Sequence, residues 1–183
     1  MADDLPDFGA LIDRIDDAVD EAWNTLRGKP AIDRLFYSAS FAADFSALWH
    51  AIGIAQSLTS GDPRVALRLS GALGMESALV NGAIKSLFKR QRPVAQVTRP
   101  LYLRIPKTSS FPSGHASSAF MAATLLAKRN PRLAPAYYVL ATIVGTSRIH
   151  VRIHHASDIA AGTVVGIALG RIVHAVSPLP KRR

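Results

Sequence analysis

Five long apolar stretches dominate this chain of 183 residues and most constrain how it can fold. They cover residues 35–58, 64–85, 113–128, 133–149 and 157–176. Several approach the ~20 residues that an α-helix needs to cross a bilayer. No strand pattern is strong enough to compete with a helical interpretation. The sequence therefore predicts an all-α, membrane-embedded bundle of about five transmembrane helices, with a soluble bundle of buried helices as the alternative.

Ionisable residues interrupt three of these stretches. They are Asp44, His50, Arg68, Glu76 and Arg171. Ionisable groups inside membrane spans usually face the protein interior or mark a functional path. We expect Asp44 and Glu76 to form a buried ion pair with Arg68 or a capped polar contact. A role for Glu76 in orienting a nearby basic side chain is a weaker alternative.

Glycine and proline mark the connections between the stretches. Gly61 and Pro63 predict a turn after the first stretch, and residues 86–112 form the longest polar connection. The last stretch has a small residue every fourth position, at Gly162, Gly166 and Gly170. This spacing places small residues on one helix face, which permits close packing within the protein or in a homo-oligomer.

The N-terminal segment has a different character from the rest of the chain. Apolar residues recur at helical spacing over residues 5–27, with acids on the other face, which predicts an amphipathic helix ended by Gly28 and Pro30. Such a helix either packs on the protein or lies on the membrane, where its acidic face would disfavour anionic headgroups. We divide the chain into this acidic amphipathic region (1–34), a transmembrane catalytic domain (35–176) and a basic tail (177–183).

Charge and composition narrow the classes of partner. The formal net charge is +9, and nine of the 13 acids lie before residue 35, which leaves a strongly basic body. A basic body indicates an anionic partner such as nucleic acid, acidic lipid or phosphate. Because the charges lie between long apolar runs, the pattern favours lipid or phosphate and predicts no nucleic-acid binding. The chain has no cysteine, which excludes disulfides and thiolate chemistry.

Three short segments carry most of the chemically useful side chains. They run from Lys85 to Pro93, from Pro112 to His115 and from Ser147 to Asp158. Each lies at the end of an apolar stretch or in the loop beside it. All three can therefore gather at one membrane face.

These segments contain the components of a phosphate site. Lys85, Arg92 and Arg148 offer three positive charges, and guanidinium groups match phosphate oxygens in bidentate geometry. Ser113 adds a hydroxyl, and Gly114 offers a backbone N–H that an anion can approach closely. Both precede a predicted helix, whose N-terminus favours anions.

Two histidines complete the predicted site. His154 and Asp158 are four residues apart, so on a helix they would share a face. A carboxylate bonded to one ring nitrogen leaves the other free to attack, which makes His154 the candidate nucleophile. His115 is the candidate general acid, because an ordinary histidine pKa of ~6.5 suits proton donation near neutral pH.

The three segments together resemble the signature of the type 2 phosphatidic acid phosphatase family. They read Lys-x6-Arg-Pro, Pro-Ser-Gly-His and Ser-Arg-x5-His-x3-Asp, in that order. The resemblance covers about residues 64–176. It implies a helical fold shared with bacterial acid phosphatases and vanadium haloperoxidases, usually with six spanning helices in the membrane members.

The resemblance also implies an activity and the residue roles given above. The activity is metal-independent phosphate hydrolysis through a phosphohistidine, without a cofactor. The implied catalytic residues are His154, His115 and Asp158. The implied phosphate ligands are Lys85, Arg92, Ser113, Gly114 and Arg148. A metal site formed by the histidines at 150, 154 and 155 with Asp158 is the competing interpretation, and the surplus of cations argues against it.

The long polar connection bears on the substrate. It adds Arg99, Arg104 and Lys107 to the signature, together with Tyr102 and Leu103. Charge beside apolar residues suits a phosphorylated headgroup whose tail stays in the bilayer. We therefore expect an integral protein of a bacterial plasma membrane that acts on a prenyl or phosphatidyl lipid phosphate. A soluble phosphatase, a vanadium-binding oxidase and a non-catalytic membrane scaffold are the alternatives.

The side of the membrane follows from the loop charges. With five spans, the basic turn 128–132 and the tail lie opposite the active-site loops. The positive-inside rule would place that turn in the cytoplasm and the site outside, although the basic catalytic loop favours the reverse.

Overall fold

A computed structural model of the chain describes residues 7–93 and 103–181. Parts of three predicted features lie outside the described residues. These are the first two positions of the helix predicted over 5–27, Arg99 and Tyr102 of the polar connection, and Arg182 and Arg183 of the tail.

The described residues form helices and their connections, which confirms the all-α prediction. The α-helices are α1 (Phe8–Asn24), α2 (Pro30–Ala42), α3 (Ala47–Ser60), α4 (Arg64–Ser77), α5 (Gly114–Arg129), α6 (Ala134–His150) and α7 (Ala156–Val176). Short 3₁₀ turns cover Asp44–Ser46 and Pro131–Leu133, and a π-helical segment, Ala78–Ile84, continues α4. The boundaries of α5, α6 and α7 lie within about two residues of the predicted stretches, which is within the usual uncertainty of helix ends.

Helix α5 lies in the core, in contact with α4, α6 and α7. Its leucines and all its alanines except Ala127 are almost fully buried, as are Trp49 of α3 and Leu69 and Leu73 of α4. Short connections make successive helices antiparallel neighbours. As a result the end of α6 and the starts of α5 and α7 meet at one end of the bundle.

The glycine row of α7 packs directly on the backbone of α5. A Cβ atom added at Gly162 would lie 2.5 Å from the Ser113 carbonyl oxygen, and one at Gly166 would lie 2.2 Å from the Ser117 carbonyl oxygen. Only residues without a side chain allow this approach. The row therefore serves internal packing, one of the two roles predicted from its spacing.

Helix α1 is present as predicted, with Asp7 as its N-cap, but its orientation is unexpected. The apolar side chains of Phe8, Leu11 and Ile12 are exposed, whereas Asp16 is only 4% exposed. The first half of α1 thus turns an acid towards the protein and apolar residues outwards. The prediction that Pro30 ends this helix is wrong, because Pro30 begins α2. In the first turn of a helix the backbone N–H has no partner within the helix, so proline is well tolerated there.

The prediction of one continuous helix over 35–58 is wrong. Phe45 and Ser46 adopt left-handed backbone angles, with φ of 53° and 59°, and this breaks the stretch into α2 and α3. Left-handed residues cannot continue a right-handed helix. Helix α2 packs on the end of α6 and on the loop that follows it, so α1 and α2 together cover the end of the bundle where the predicted site lies.

The second stretch contains a change of helical pitch before Lys85. Helix α4 continues through the π-helical segment Ala78–Ile84, and ordinary helical geometry resumes at Lys85. π-helical turns often occur at functional sites, because the wider turn changes the direction of the side chains that follow. Lys85 emerges from this segment only 5% exposed.

Helix α7 is long and apolar enough to cross a membrane. It has 21 residues, and it is the one helix among the described residues with the length and hydropathy of a membrane span. The other predicted spans are shorter, with 14 residues in α3 and 16 in α5, against the ~20 of a typical span. The predicted count of five transmembrane helices is therefore not confirmed.

Candidate active site

The three signature segments meet around one cavity at the end of the bundle covered by α1 and α2. The cavity has a volume of about 460 Å³, and its lining includes Lys85, Gly114, His115 and His154. Lys85 directly follows the π-helical segment, Gly114 and His115 start α5, and His154 lies in the loop before α7. The sequence predicts that the segments gather at one membrane face, and the structure brings them together at one end of the bundle.

His154 lies in the loop before α7, not on the helix as the four-residue spacing suggested. Its Nδ1 atom lies 3.3 Å from Oδ2 of Asp158, the third residue of α7. This contact favours the tautomer with hydrogen on Nδ1. Nε2 lies 3.2 Å from a guanidinium nitrogen of Arg92. The second ring nitrogen thus faces a cation that is able to hold an anionic substrate.

His154 is neutral over the physiological range. Its side chain is 2% exposed. Burial lowers the pKa of His154 to about 3, with the charges of Arg148 and Arg92 acting in the same direction and the hydrogen bond to Asp158 opposing them. A neutral imidazole has the lone pair that nucleophilic attack requires.

Asp158 is held on both carboxylate oxygens. Oδ2 accepts a hydrogen bond of 2.9 Å from the backbone N–H of His155, and Oδ1 accepts one of 2.8 Å from Arg90. The side chain is fully buried. Fixing the carboxylate in this way fixes the ring that it contacts.

His115 lies on the first turn of α5 and contacts a residue outside the three segments. Its Nε2 atom is 3.1 Å from Oδ1 of Asp44, which lies in the break between α2 and α3. Asp44 therefore pairs with a candidate catalytic histidine. The predicted ion pair with Arg68 is wrong, because Arg68 donates to the carbonyl of Pro178.

Ser113 and Gly114 form the N-terminus of α5. The Ser113 hydroxyl accepts from the Ala116 N–H at 3.4 Å, and the Ser113 N–H donates to the Asp158 carbonyl at 3.0 Å. A Cβ on Gly114 would lie 2.6 Å from the Asn81 side-chain oxygen. The glycine thus keeps open the edge of the cavity where the helix N-terminus favours an anion.

The three predicted cations lie in the same region. Arg148 is fully buried and donates to the Ser40 hydroxyl of α2, while Lys85 lines the cavity. Arg92 donates to the carbonyls of Thr108 and Ile153, which ties the polar connection to the loop of His154. These cations supply positive charge at the place where a phosphoryl group would meet His154.

The remaining histidines of the third segment have structural partners. His150 Nε2 lies 2.8 Å from Asp33, and its Nδ1 accepts from the Trp23 indole at 3.2 Å. His155 is the N-cap residue of α7. Within residues 7–93 and 103–181, no group of three or more His, Asp or Glu side chains is arranged to hold a metal ion.

Several residues of this region were not predicted. They are Asp16, Asp33, Ser40, Asp44 and Arg90, four of them from α1, α2 or the break after α2. Each of them contacts a residue of the first, second or third segment. Arg90 lies inside the first segment, between Lys85 and Arg92, but no spacing rule distinguishes it from the adjacent Lys89.

Known proteins resemble this chain in sequence and in fold. The family model of the PAP2 superfamily matches residues 65–181. The chain is 36% identical over 118 residues to a lipid A 1-phosphatase of Porphyromonas gingivalis, covering 61% of this chain and 24% of that protein. It is 33% identical over 108 residues to the decaprenylphosphoryl-5-phosphoribose phosphatase of Mycobacterium tuberculosis, covering 59% of each. The chain thus spans less than two thirds of either relative.

A solved structure shows the same fold. The transmembrane PAP2 type phosphatidylglycerolphosphate phosphatase from Bacillus subtilis superposes with a TM-score of 0.65 at 23% identity. The superposition covers 91% of this chain and 86% of that one. The helical fold is therefore shared over nearly the whole chain, including helices that precede the region matched by the family model.

Proposed function

The chain belongs to the PAP2 superfamily, and from this premise we propose that it is an integral membrane phosphatase that hydrolyses a prenyl or phosphatidyl lipid phosphate. One observation carries the proposal. His154, paired with the buried Asp158, and His115, paired with Asp44, line one cavity together with Lys85. A nucleophile, a proton donor and a cation thus meet where a phosphate group can enter.

The reaction proceeds in two steps. Nε2 of His154 attacks phosphorus, and the bond between phosphorus and the lipid oxygen breaks while His115 gives its proton to that oxygen. The product is a phosphohistidine and the free lipid alcohol, or a lipid monophosphate where the substrate is a diphosphate. Water then attacks phosphorus, His115 takes its proton, and phosphate leaves as the bond to Nε2 breaks.

The cations stabilise the charge of the transferring group. In phosphoryl transfer this charge is spread over three equatorial oxygens, so positioning and electrostatics supply most of the catalysis. Lys85, Arg92 and Arg148 supply positive charge as side chains of the protein, together with the Ser113 hydroxyl and the Gly114 N–H group. We propose on this basis that the enzyme uses no metal and no cofactor.

The mouth of the cavity supports a lipid substrate. Phe45 is 75% exposed there, and the guanidinium of Arg104 lies 4.6 Å above its ring centroid. Lys107 also lines the cavity. An exposed aromatic ring beside cations suits a phosphate headgroup with an apolar tail. The relatives above are named for lipid A and for a decaprenyl phosphate compound, which supports the same class.

The membrane arrangement is part of the proposal. Helix α7 is the clearest spanning element, and the exposed apolar residues of α1 suit a helix at the membrane surface. We propose residues 35–176 as the catalytic domain in a bacterial plasma membrane, with 1–34 as the amphipathic region and 177–183 as the basic tail. Homo-oligomers are compatible with this arrangement.

Phosphate release from detergent-purified protein tests the function. The substrate panel contains a prenyl phosphate, a prenyl diphosphate, phosphatidic acid and a soluble phosphate monoester, with excess chelator present. His154→Ala is the matched variant. We expect chelator-resistant release that is lost in the variant, together with a phosphohistidine trapped by acid-free quenching of the wild type. Release abolished by chelator would contradict the metal-free reaction. Release from soluble esters alone would contradict the lipid substrate.

A further inference from the structure

Helix α1 lies outside the region matched by the family model, yet one of its side chains reaches the candidate active site. Asp16 is only 4% exposed. Its Oδ1 accepts from the Ser157 N–H at 2.8 Å, and its Oδ2 accepts from the Ser157 hydroxyl at 2.6 Å and from Arg90 at 2.6 Å. Ser157 adjoins Asp158 at the start of α7, so α1 contacts the residue next to the predicted partner of the nucleophile.

Arg90 joins the two buried carboxylates. One guanidinium nitrogen, Nη2, donates to Asp16, and the other, Nη1, donates to Asp158 Oδ1 at 2.8 Å and to the Ser157 hydroxyl at 2.6 Å. The other oxygen of Asp158 contacts His154. A continuous series of charge-assisted contacts therefore runs from α1 to the nucleophile.

We propose that Asp16 and Arg90 are positioning residues for phosphoryl transfer, and that α1 completes the catalytic site by fixing the carboxylate that orients His154. The inference rests on the phosphatase function proposed above. It adds to that function two residues and a helix that the three signature segments do not contain.

Carboxylate geometry explains why Arg90 matters. A carboxylate held on one oxygen can rotate about its Cβ–Cγ bond, and the ring that it contacts then loses a defined direction. Arg90 holds the second oxygen of Asp158 with a planar group that cannot turn without losing its other contacts. Partners of this kind, one step removed from the reacting atoms, typically change activity by about 10–100-fold when removed.

Charge balance explains why Asp16 matters. Arg90 alone would compete with His154 for the negative charge of Asp158. A second carboxylate shares that guanidinium, so Asp158 keeps charge available for the imidazole. Although burial opposes ionisation, hydrogen bonds from Ser157 and Arg90 hold the pKa of Asp16 below its usual range, so the charge is present near neutral pH.

The orientation of α1 points to the same conclusion. Helix α1 exposes Ile12 and Ile15 while it buries an acid, which reverses the usual preference of these residue types. Burial of a carboxylate is favourable only when it is paired. The membrane surface proposed above accommodates the exposed apolar face, and the contacts with Arg90 and Ser157 account for the buried acid.

Purified variants test this proposal in the assay described above. The variants are Asp16→Asn, Asp16→Glu and Arg90→Lys, with Asp13→Asn as the matched control. Asp13 lies one turn earlier on α1, is 75% exposed in its side chain and is 3.6 Å from Arg90, so its removal changes the same formal charge without a buried contact. The substrate is the panel lipid that the wild type hydrolyses fastest.

We expect kcat of Asp16→Asn to fall by about 10–100-fold and KM to change by less than about twofold. The reason is that Asp16 orients the nucleophile and does not contact the substrate. Asp16→Glu should restore part of the loss, since it restores the charge. Arg90→Lys should lose about as much as Asp16→Asn, because an ammonium cannot bridge both carboxylates. Asp13→Asn should match the wild type.

Three results would overturn the proposal. They are kcat of Asp16→Asn equal to that of Asp13→Asn, a change confined to KM, and equal losses in Asp16→Glu and Asp16→Asn. If Asp16→Asn does not fold, the split between kcat and KM in Arg90→Lys decides. An inactive wild type overturns the proposed function and this inference together, whereas an active wild type with unaffected variants overturns this inference alone.

A second cavity lies at the opposite end of the bundle and supports an independent inference. A cavity of about 1000 Å³ is formed there by the end of α3, the start of α4, the end of α5 and the C-terminal segment. Its basic lining residues are Arg64, Arg68, Arg129 and Lys181. Asp62 is the carboxylate among the described lining residues, and it is paired with Arg64 at 2.8 Å.

Arg129 is the unusual member of this lining. It is 8% exposed, and its Nε and Nη2 atoms have no hydrogen-bond partner within residues 7–93 and 103–181. The charge of Asp62 acts on Arg129, but two nitrogens of this buried guanidinium still lack an acceptor, which is costly unless an anion supplies one. Guanidinium N–H groups of this kind match the oxygens of a phosphate in bidentate geometry.

We infer that this cavity binds a phosphate-bearing anion through Arg129. The headgroup of an anionic phospholipid and free phosphate share this chemistry. Native mass spectrometry of detergent-purified protein with phosphatidylglycerol or phosphatidylcholine tests the first source, and thermal unfolding with inorganic phosphate tests the second. The variants are Arg129→Gln and, as control, Arg132→Gln, an exposed arginine that follows in the same turn and does not line the cavity.

We expect the wild type and Arg132→Gln to retain about tenfold more phosphatidylglycerol than Arg129→Gln does. About a tenfold difference in affinity corresponds to the loss of one strong contact. Phosphatidylcholine should be retained less. A phosphate-dependent rise in Tm that Arg129→Gln lacks, without lipid retention, would assign the site to free phosphate. Equal retention and equal Tm shifts in both variants would overturn the inference.

Discussion

The two sides of the candidate site differ in how they relate to the sequence. One side carries the three signature segments, with the histidines and phosphate ligands that we propose. It is formed by the residues after the π-helical segment, the end of α6 and the starts of α5 and α7. The other side, formed by α1, α2 and the break after α2, carries acids and hydroxyls that contact them. We propose that the first side carries out the chemistry and that the second side orients its residues. Changes on the two sides should therefore differ in size and in kind.

The largest effect is expected on the signature side. His154→Ala removes the proposed nucleophile, and loss of such a group typically lowers kcat by about four orders of magnitude or more. Phosphate release and phosphohistidine trapping measure it, with circular dichroism as a check on folding. A variant that keeps a tenth of the wild-type rate would contradict the covalent mechanism and make the two sides equivalent.

A smaller effect is expected for the acid that faces His115 from the other side. Asp44→Asn keeps the size of the side chain but removes the charge that contacts Nε2 of His115 at 3.1 Å. We expect kcat to fall by about 10–100-fold, the usual range for loss of an orienting partner. Asp62→Asn, in the turn before α4, is the control. An unchanged kcat in Asp44→Asn would show that His115 is oriented without help from this side.

The packing that supports the signature side can be tested through stability. A Cβ at Gly166 would lie 2.2 Å from the Ser117 carbonyl oxygen, whereas one at Gly74 would contact nothing within 4 Å. Gly166→Ala should therefore destabilise the protein by about 1–3 kcal/mol through overpacking. Gly74→Ala should be neutral or slightly stabilising, by up to about 1 kcal/mol, because alanine favours a helix.

Thermal unfolding in detergent measures both alanine variants. Equal melting temperatures would mean that α5 and α7 separate easily at the glycine row. In that case the geometry of Ser113, which links the start of α5 to Asp158, would depend less on this contact than the structure indicates.

The comparison also shows what the sequence could and could not predict. Helices α5, α6 and α7 were predicted almost to the residue, because long apolar runs with glycine and proline at their ends leave few alternatives. The broken stretch over 35–58 was not, since the left-handed residues Phe45 and Ser46 have no sequence signal. Left-handed geometry at such residues depends on tertiary contacts rather than on local preference.

The same distinction applies to the site. The eight predicted residues belong to segments with internal spacing, and the structure places them around one region. Asp16 could not be distinguished from Asp13 or Asp17, because all three are acids on the polar face of an amphipathic helix. Which of them is buried depends on how α1 docks on α7, a contact between distant parts of the chain.

The smallest change is expected in the protonation of His154. Burial lowers its pKa to about 3, with Arg148 and Arg92 acting in the same direction and Asp158 opposing them. The ordinary histidine pKa is ~6.5, so the folded protein should keep this ring neutral while the unfolded chain would gain a proton below about pH 6.5. The part of the folding stability due to His154 is then fully present above pH 6.5 and declines as the pH falls towards 3.

NMR of ring-labelled histidines in detergent measures this directly, with His154→Ala to assign the signal. The His154 resonances should stay constant from about pH 8 to pH 5, the range in which an ordinary histidine titrates. A midpoint near 6.5 would show that the ring is solvated and that burial by the loop before α7 is incomplete. If His154 titrates in Asp16→Asn but not in the wild type, the α1 side keeps the ring buried. The second side of the site would then control the protonation of His154 as well as its orientation.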